Sequence, residues 1–336
     1  MRINFKKALV TGGAGFIGSH LIEALVAEKC RVTVLDNLAS GSLLNLEPLR
    51  DRITFHQGDI RQRDILEKAA EGCDVIFHLA AVVAVQQTID NPVESAEIND
   101  IGTLNVLEAA RSQNVRRIVF SSSCAVYGDD PVLPKTETMN PKPTSPYAVH
   151  KLSAEHYARI YYELFGLDSV SLRYFNVFGP RQDPSSPYSG VISLFMTRAA
   201  SKQAPVIYGD GNQTRDFVYV KDVVNANLLA AAMNHPQGRN FNIGTGNQVR
   251  INRLWELIAS LSGQKKLKPR YEPARAGDIL HSYAGMDFTK SKLKFKPDFS
   301  LEQGLEATFE WYRGQSFEFG MRNAERKKAG RGPVSA

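Results

Sequence analysis

The sequence predicts an α/β fold with a doubly wound parallel sheet and a smaller C-terminal α/β lobe. Three observations favour this fold. Strand-like and helix-like apolar spacing alternate along the first half, a glycine-rich turn follows the first strand, and Asp36 closes the second strand. Strands that alternate with helices form parallel sheets covered on both faces. A glycine turn between strand and helix is typical of the Rossmann type.

The predicted elements follow the spacing of the apolar residues, which differs between strands and helices. Buried strands are predicted at residues 7–11, 31–35, 53–57, 75–79, 117–121 and 169–174. Helices are predicted at residues 16–28, 99–112, 147–165, 220–235 and 251–262. Ser300 opens a last helix, with Gln303 in the position of a capping box.

The composition is that of an ordinary globular protein, with 43% hydrophobic and 23% charged residues. The net charge is +6, yet no basic stripe interleaved with aromatic residues indicates nucleic-acid binding. The three cysteines lack zinc-ligand spacing, so no metal is expected. No apolar run reaches the roughly 18 residues of a membrane span, and no leader is evident, so we expect a cytoplasmic protein without a membrane partner. A basic, solvated tail contains Arg322, Arg326, Lys327, Lys328 and Arg331.

The glycines at 12, 15 and 18 have the context of a dinucleotide-binding motif, since a strand precedes them and a helix follows. Gly12 permits the tight turn, and Gly15 lets the backbone approach a pyrophosphate. Gly18 allows the helix to pack closely on the strand, and the helix N-terminus faces the phosphates. The turn therefore predicts a bound dinucleotide.

Two carboxylates follow neighbouring strands. Asp36 can bind the adenine ribose diol and would repel a 2′-phosphate, so NAD is favoured over NADP. Asp59, followed by Ile60, comes after the third strand. It either lies near the adenine amine or caps the next helix, and the two roles are compatible.

Three serines, Ser121 to Ser123, end a predicted strand, and Tyr147 and Lys151 share one face of a predicted helix. An ammonium beside a tyrosine favours the phenolate, because positive charge stabilises the ionised form. A phenolate can take the proton of a sugar hydroxyl while NAD takes hydride from the same carbon, and a serine hydroxyl can orient that sugar hydroxyl.

These motifs occur in one order along residues 8 to about 312, over which the chain resembles the extended short-chain dehydrogenase/reductase family and, within it, the nucleotide-sugar 4-epimerases. The matching segments are residues 11–18 (TGGAGFIG), 78–81 (HLAA), 121–128 (SSSCAVYG), 145–151 (SPYAVHK), 172–182 (LRYFNVFGPRQ), 214–222 (TRDFVYVKD) and 275–278 (RAGD).

The resemblance implies a role for each matching residue. Ser123 is the catalytic hydroxyl, Tyr147 the base, and Lys151 its partner, which also holds the nicotinamide ribose. Further cofactor contacts are implied for Phe16, Ile17, Asn37, Leu79, Ala80, Ala81, Asn99, Ser121 and Tyr174. The UDP-sugar is implied to contact Asn176, Val191, Tyr208, Arg215, Arg275, Asp278 and Ser282 as well as Ser123 and Tyr147. Asn176 and the two arginines hold the diphosphate, for which guanidinium groups are suited.

Two further expectations concern organisation. The predicted NAD-binding Rossmann domain covers residues 1–180 and is interleaved with later segments, including about 214–245. A nucleotide-sugar lobe covers mainly 181–315, and the basic tail covers 316–336. Relatives usually form homodimers through two helices, here 99–112 and 147–165, although the same helices could equally cover the sheet.

The residues after Ser123 favour epimerisation over dehydration. Dehydratases and decarboxylases of this type usually carry an acid there, whereas this chain has Cys124 and Ala125. The simplest cycle oxidises the sugar at C4, turns the 4-keto sugar over and reduces it on the other face, so that NAD stays bound. A non-catalytic NAD-binding scaffold is the alternative from another class, and its expected loss of catalytic residues is not seen.

The sugar is predicted from Ser282, which aligns with a gate beside the 2-substituent of the sugar. A small residue there leaves room for an acetamido group, so UDP-N-acetylglucosamine and UDP-N-acetylgalactosamine are favoured, and UDP-glucose and UDP-galactose can also fit. A register shift would place His281 or Tyr283 at the gate and reverse this inference. Ala84 replaces a usual polar residue, and UDP-glucuronate or UDP-glucose alone are the alternative substrates.

Overall fold

The computed structural model describes residues 3–183, 190–274 and 279–328, with only the backbone described for 315–328. The strands are β1 (Lys7–Thr11), β2 (Arg31–Asp36), β3 (Ile53–Gln57), β4 (Val75–His78), β5 (Arg117–Ser123), β6 (Asp168–Tyr174), β7 (Asn176–Phe178), β8 (Val206–Tyr208), β9 (Thr214–Arg215), β10 (Phe217–Tyr219), β11 (Arg239–Ile243), β12 (Val249–Arg250) and β13 (Arg270–Glu272). The α-helices are α1 (Phe16–Ala27), α2 (Arg63–Ala70), α3 (Val85–Asp90), α4 (Pro92–Ala96), α5 (Gly102–Ser112), α6 (Pro146–Phe165), α7 (Val191–Ala200), α8 (Val220–Ala232), α9 (Ile251–Leu261), α10 (Asp287–Lys292) and α11 (Leu301–Lys328).

A seven-stranded sheet forms the centre of the molecule, in the order β11-β6-β5-β4-β1-β2-β3. Every neighbouring pair in it is parallel. The chain winds outward from β1 in one direction and then from β4 in the other, which confirms the predicted doubly wound Rossmann sheet. The carboxyl ends of β1, β2, β4 and β5 therefore meet at one edge, where such sheets bind ligands.

Helix α6 begins and ends as its sequence dictates. Ser145 caps its N-terminus, because the serine hydroxyl accepts a hydrogen bond from the Ala148 amide at 3.2 Å, and Pro146 occupies the first turn. Gly166 ends the helix in the left-handed conformation, at φ 70°. The face that includes Ala148, Lys151 and Ala154 is buried, and α6 packs on β5 and β6. This packing places the first turns of α6 beside the end of β5.

The observed bounds differ from the predicted ones where tertiary contacts decide them. Strand β5 runs on to Ser123, because its three serines pair with the end of β6. A π-helical turn (Glu97–Ile101) precedes α5, where one regular helix was predicted. Helix α8 stops at Ala232, because Met233 is extended. The last helix has its predicted capping box: the Ser300 amide donates to Gln303 Oε1 at 2.9 Å, and the Gln303 amide to Ser300 Oγ at 3.2 Å.

A second apolar core lies under α7, α9 and α11. It includes Phe195 and Trp255, whose rings meet edge to face at 5.6 Å, together with Ile258 and Leu305. Three two-stranded sheets, β7 with β10, β8 with β13 and β9 with β12, flank this core. The division into two lobes stays a prediction, and β11 returns late in the chain to the edge of the central sheet. In the described parts of the chain, no helix combines the length and apolar character needed to cross a membrane.

Candidate functional site

The glycine turn between β1 and α1 packs too closely for side chains at two of its positions. Gly12 has φ 69°, and a Cβ atom there would lie 2.7 Å from the Ala80 nitrogen. A Cβ atom at Gly18 would collide with the Gly12 carbonyl oxygen. At Gly15, by contrast, a Cβ atom would meet only that same oxygen, at 3.2 Å. The backbone of the turn is therefore close-packed on Leu79 and Ala80 below and open beside Gly15.

The amino end of α1 fits the diphosphate of NAD. Gly15 is its N-cap, and among the described residues no side chain accepts a hydrogen bond from its first amides. Such amides, next to an open glycine, are donors for phosphate oxygens. Phe16 and Ile17 occupy the first helical positions, and their side chains pack partly buried on the apolar cores. The turn thus offers backbone donors rather than side chains to a ligand.

Asp36 lies at the end of β2, beside the glycine turn. Its carboxylate accepts hydrogen bonds from the Ala14 amide at 2.9 Å and the Leu38 amide at 2.8 Å. Burial raises the pKa of Asp36 above its usual value, and these two bonds act in the opposite direction. The carboxylate is therefore fixed in orientation next to the turn, as a ribose diol requires.

Asp59 does not cap a helix, because Gln62 is the N-cap of α2. The Asp59 carboxylate instead accepts hydrogen bonds from the Arg61 guanidinium at 2.9 and 3.0 Å and from Asn37 Nδ2 at 3.0 Å. These bonds lower the pKa of Asp59, with Arg61 the largest cause. The side chain of Ile60 is buried against Gly102. Of the two roles for Asp59, the capping role is wrong and the adenine contact stays a prediction.

Ser123, Tyr147 and Lys151 meet at the carboxyl end of β5. The side chains of Ser123 and Tyr147 lie close enough for the Ser123 hydroxyl to lower the pKa of Tyr147. Lys151 Nζ donates to the Ser121 carbonyl oxygen at 2.8 Å and lies 5.7 Å from the centre of the Tyr147 ring. The Tyr147 amide donates to Thr88 Oγ1 at 3.2 Å, which ties the start of α6 to α3. The structure therefore brings the three predicted catalytic residues together.

Burial, rather than Lys151, governs the pKa of Tyr147. Burial raises that pKa to about 12, while the interaction with the Ser123 side chain acts in the opposite direction. Burial also lowers the pKa of Lys151 to about 8, and its ammonium is bonded to a backbone carbonyl instead of the phenol. The sequence-based expectation that the ammonium favours the phenolate is therefore wrong for the protein alone. The reason is that desolvation of both groups outweighs their attraction.

The position after Ser123 holds a thiol where a carboxylate was considered. Burial raises the pKa of Cys124 to about 12, so the thiol stays protonated near neutral pH. Ala125 donates its amide to Ser123 Oγ at 3.1 Å and has no ionisable group. Within the described ranges, no group of three His, Cys, Asp or Glu side chains is placed to hold a metal ion.

Asn99 anchors the loop that follows β4. Its Oδ1 accepts a hydrogen bond from the Val82 amide at 2.8 Å, and its Nδ2 donates to the Val82 carbonyl at 3.0 Å. Asn99 is buried in the π-helical turn, a local irregularity that often marks functional sites. It thereby fixes the end of the loop that contains Ala80 and Ala81, next to Gly12.

Two of the three predicted diphosphate residues, Asn176 and Arg215, lie next to Asp216, a residue that the sequence analysis did not single out. Asn176 Nδ2 donates to the Asp216 carbonyl at 3.2 Å, and Arg215 is its chain neighbour. The Asp216 carboxylate is fully buried and accepts from the amides of Thr245, Gly246 and Ala284 at 2.8 to 3.1 Å. Asp216 therefore joins three separate segments beneath Asn176 and Arg215.

Ser282 lies next to this cluster. Its amide donates to the Thr214 carbonyl at 3.2 Å, and the residue is 7% exposed. The neighbouring His281 directs Nδ1 to Thr214 Oγ1 at 3.0 Å. The segment of residues 281–283 is thus attached to Thr214 on one side. On the other side the Lys135 amide donates a hydrogen bond to the Tyr283 carbonyl at 2.9 Å. The candidate gate is a buried small residue two positions before the Asp216 contact at Ala284.

The remaining predicted residues are dispersed. Tyr174 is buried and exchanges hydrogen bonds with Asn227 at 2.8 and 3.0 Å, so its hydroxyl serves the packing of α8 on β6. Val191 is the first residue of α7, and Tyr208 is the last of β8. Arg275 and Asp278 lie outside the described residues. The roles of all these residues in ligand binding stay predictions.

Known proteins resemble this chain over nearly its whole length. A putative UDP-glucose 4-epimerase of Methanocaldococcus jannaschii is 40% identical over 311 residues, which are 92% of this chain and 99% of the relative. The solved UDP-N-acetylglucosamine 4-epimerase of Methanobrevibacter ruminantium, in complex with UDP-N-acetylmuramic acid, is 41% identical with a TM-score of 0.89, over 94% of this chain and 100% of the other. The UDP-glucose 4-epimerase of Thermus thermophilus, solved with NAD, is 36% identical with a TM-score of 0.83, over 92% and 99%.

The family comparison agrees with the geometry of the site. Residues 8–244 match the model of the NAD dependent epimerase/dehydratase family. The match confirms the resemblance stated from the sequence, the prediction of an enzyme and the choice of NAD as its cofactor. The open glycine turn, the uncapped helix and Asp36 are the features that fit this cofactor. The chain therefore belongs to the NAD dependent epimerase/dehydratase family.

Proposed function

We propose that this protein is a 4-epimerase of UDP-hexoses that interconverts UDP-N-acetylglucosamine and UDP-N-acetylgalactosamine. The observation that carries the proposal is the meeting of Ser123, Tyr147 and Lys151 at the sheet edge that bears the glycine turn, without a carboxylate after Ser123. This group can move one proton to and from a sugar hydroxyl, which is the proton transfer that epimerisation needs, whereas dehydration needs a further acid or base.

Each residue has a defined part in the reaction. Bound NAD supplies an acceptor and donor of hydride at the sugar C4. Tyr147 takes the proton of the 4-hydroxyl and later returns one, and Ser123 holds that hydroxyl by a hydrogen bond. Lys151, fixed by the Ser121 carbonyl, keeps a positive charge beside the ring of Tyr147. Because Lys151 is buried, its charge acts with little screening by solvent.

Substrate contacts divide between the diphosphate and the sugar. Arg215, with Arg275 as its predicted partner, binds phosphate oxygens, and Asn176 supports them. The small side chain of Ser282 leaves room for the acetamido group. The relatives named above act on UDP-glucose or UDP-N-acetylglucosamine, and Ser282 is the reason to favour the latter.

A homodimer is the proposed assembly, since large apolar side chains stay exposed on α3, α4, the π-helical turn and α6. They are Val85, Ile89, Val93, Ile101, Val149, Ile160, Leu164 and Phe165. Apolar faces of this kind mark protein contacts. We expect sedimentation to give the mass of a dimer for the wild type and of a monomer for Val149→Glu combined with Ile101→Glu. A wild-type monomer would contradict the proposed assembly.

The first experiment is a substrate panel without added NAD. UDP-N-acetylglucosamine, UDP-glucose and UDP-glucuronate are incubated with purified protein, and the 4-epimers are separated. We expect UDP-N-acetylgalactosamine, which requires NAD retained from the cell. Formation of UDP-galactose or UDP-galacturonate alone would retain the mechanism and reject the sugar. No epimer from any donor, with or without NAD, would reject the proposed function and favour the scaffold alternative.

A further inference from the structure

A buried histidine lies between the two catalytic residues of α6. His150 is 6% exposed, and its Nδ1 is 2.7 Å from Asp100 Oδ2. Its Nε2 is 3.4 Å from Ser95 Oγ, on α4. The sequence motifs gave no role to these three residues, and none of them belongs to the catalytic group described above. Through these contacts His150 joins α6 to α4 and to the π-helical turn, one helical turn after Tyr147.

The hydrogen-bond partners define what the ring does. The Ser95 hydroxyl has one proton, and the nearer acceptor is the Pro92 carbonyl at 2.9 Å. The Ser95 oxygen is then an acceptor, as is the Asp100 carboxylate, so both ring nitrogens of His150 face acceptors. The other Asp100 oxygen is buried without a hydrogen-bond partner among the described residues, so the carboxylate is oriented by His150. The contact between His150 and Asp100 therefore connects α6 to the π-helical turn.

The π-helical turn also contacts the loop of residues 79–82, which packs on the glycine turn. Asp100 follows Asn99, whose amide group binds both the amide and the carbonyl of Val82. A chain of contacts therefore runs from α6 through His150, Asp100 and Asn99 to Val82, at the end of the loop that packs on the glycine turn. Tyr147, the proposed base, belongs to α6 at one end of this series of contacts. The loop of residues 79–82, beside the predicted cofactor site, lies at the other end.

We infer that His150 and Asp100 are positioning residues for the reaction, and that they fix the distance between Tyr147 and the loop of residues 79–82. The inference rests on the proposed function for its catalytic consequence. Misplacement of reacting groups by about 1 Å can lower turnover about 100-fold. Loss of the pair should therefore lower kcat and leave KM unchanged, because the UDP contacts proposed for Arg215 and Asn176 come from elements that the pair does not touch.

The test compares Asp100→Ala, His150→Ala and His150→Asn with the control His156→Gln, an exposed histidine of the same helix. We expect kcat to fall about 10- to 100-fold in the first two variants, with KM and bound NAD unchanged. The amide nitrogen introduced by His150→Asn can take the place of Nδ1, so this variant should recover much of the loss. The control should match the wild type.

Hydrogen exchange supplies a readout that does not depend on turnover. Amides of residues 82–101 should exchange faster in Asp100→Ala and His150→Ala than in the control. Unchanged kcat and exchange in Asp100→Ala would overturn the inference, as would a fall in kcat without recovery in His150→Asn. If His150→Ala does not fold, Asp100→Ala decides the question, because the Asp100 side chain is 26% exposed. An inactive wild type would reject the proposed function, while exchange would still report on the pair.

Discussion

Replacement of Tyr147 by phenylalanine is expected to lower turnover about 10²- to 10⁴-fold, the range that a positioned acid or base contributes. The substitution removes the group that accepts the proton of the sugar hydroxyl and keeps the ring that covers Lys151. Because Asp36 and the glycine turn are untouched, the variant should retain NAD. The measurement is epimer formation in a steady-state assay, with bound NAD quantified after denaturation.

The control for this variant is Tyr162→Phe, which removes a phenol from the same helix away from Ser123. It should leave turnover and bound NAD unchanged. Near-normal activity of Tyr147→Phe would remove Tyr147 from its role as the base. Loss of NAD in that variant would instead indicate that the phenol holds the cofactor.

Replacement of Ser282 by tyrosine is expected to change the sugar preference. A tyrosine ring there would occupy the space of the acetamido group, and a size mismatch of this kind costs about 1–3 kcal/mol of transition-state binding. For the acetamido substrate this corresponds to about a 10- to 200-fold loss of kcat/KM. Activity on UDP-glucose should persist, since its smaller 2-hydroxyl leaves room for the ring. The ratio of kcat/KM for the two sugars is the quantity to measure.

Two neighbouring positions serve as controls for the register of the gate. His281→Tyr should leave the ratio unchanged, because the His281 side chain is directed to Thr214. Tyr283→Ser should likewise leave it unchanged. A ratio that responds to either of these and not to Ser282→Tyr would place the gate one residue away and reverse the inference about the sugar.

The central sheet could be predicted from the sequence because its signals are local. The strands β1 to β6 each contain a short apolar run. The ends of α6 are marked by Ser145 and Pro146 at its start and by Gly166 at its end. Strand β11 was missed, because its place at the sheet edge depends on pairing with β6. The π-helical turn was missed for a related reason: the buried Asn99 in it bonds to Val82, which is distant in sequence.

The sequence predicted which residues come together in the candidate site better than it predicted how their charged groups interact. The spacing of Tyr147 and Lys151 put them on one helix face, but only the packing shows that the ammonium bonds to the Ser121 carbonyl. The sequence left two roles open for Asp59, and the fold excludes the capping role because Gln62 is the N-cap of α2. Asp216 gave no signal beyond a family motif, because its partners come from three segments that meet only in the folded chain.

The bonds of Asp216 have a consequence for how this enzyme can diverge. The segment around Ser282 is fixed through the backbone, by Thr214, Lys135 and the contact of Asp216 with the Ala284 amide. None of these bonds uses the side chain at position 282. On the proposed assignment of Ser282 as the gate, mutations there would alter the accepted sugar and leave these backbone bonds and the proton-transfer group in place. Single substitutions at position 282 would therefore let the accepted sugar change during evolution while the proton-transfer residues stay the same.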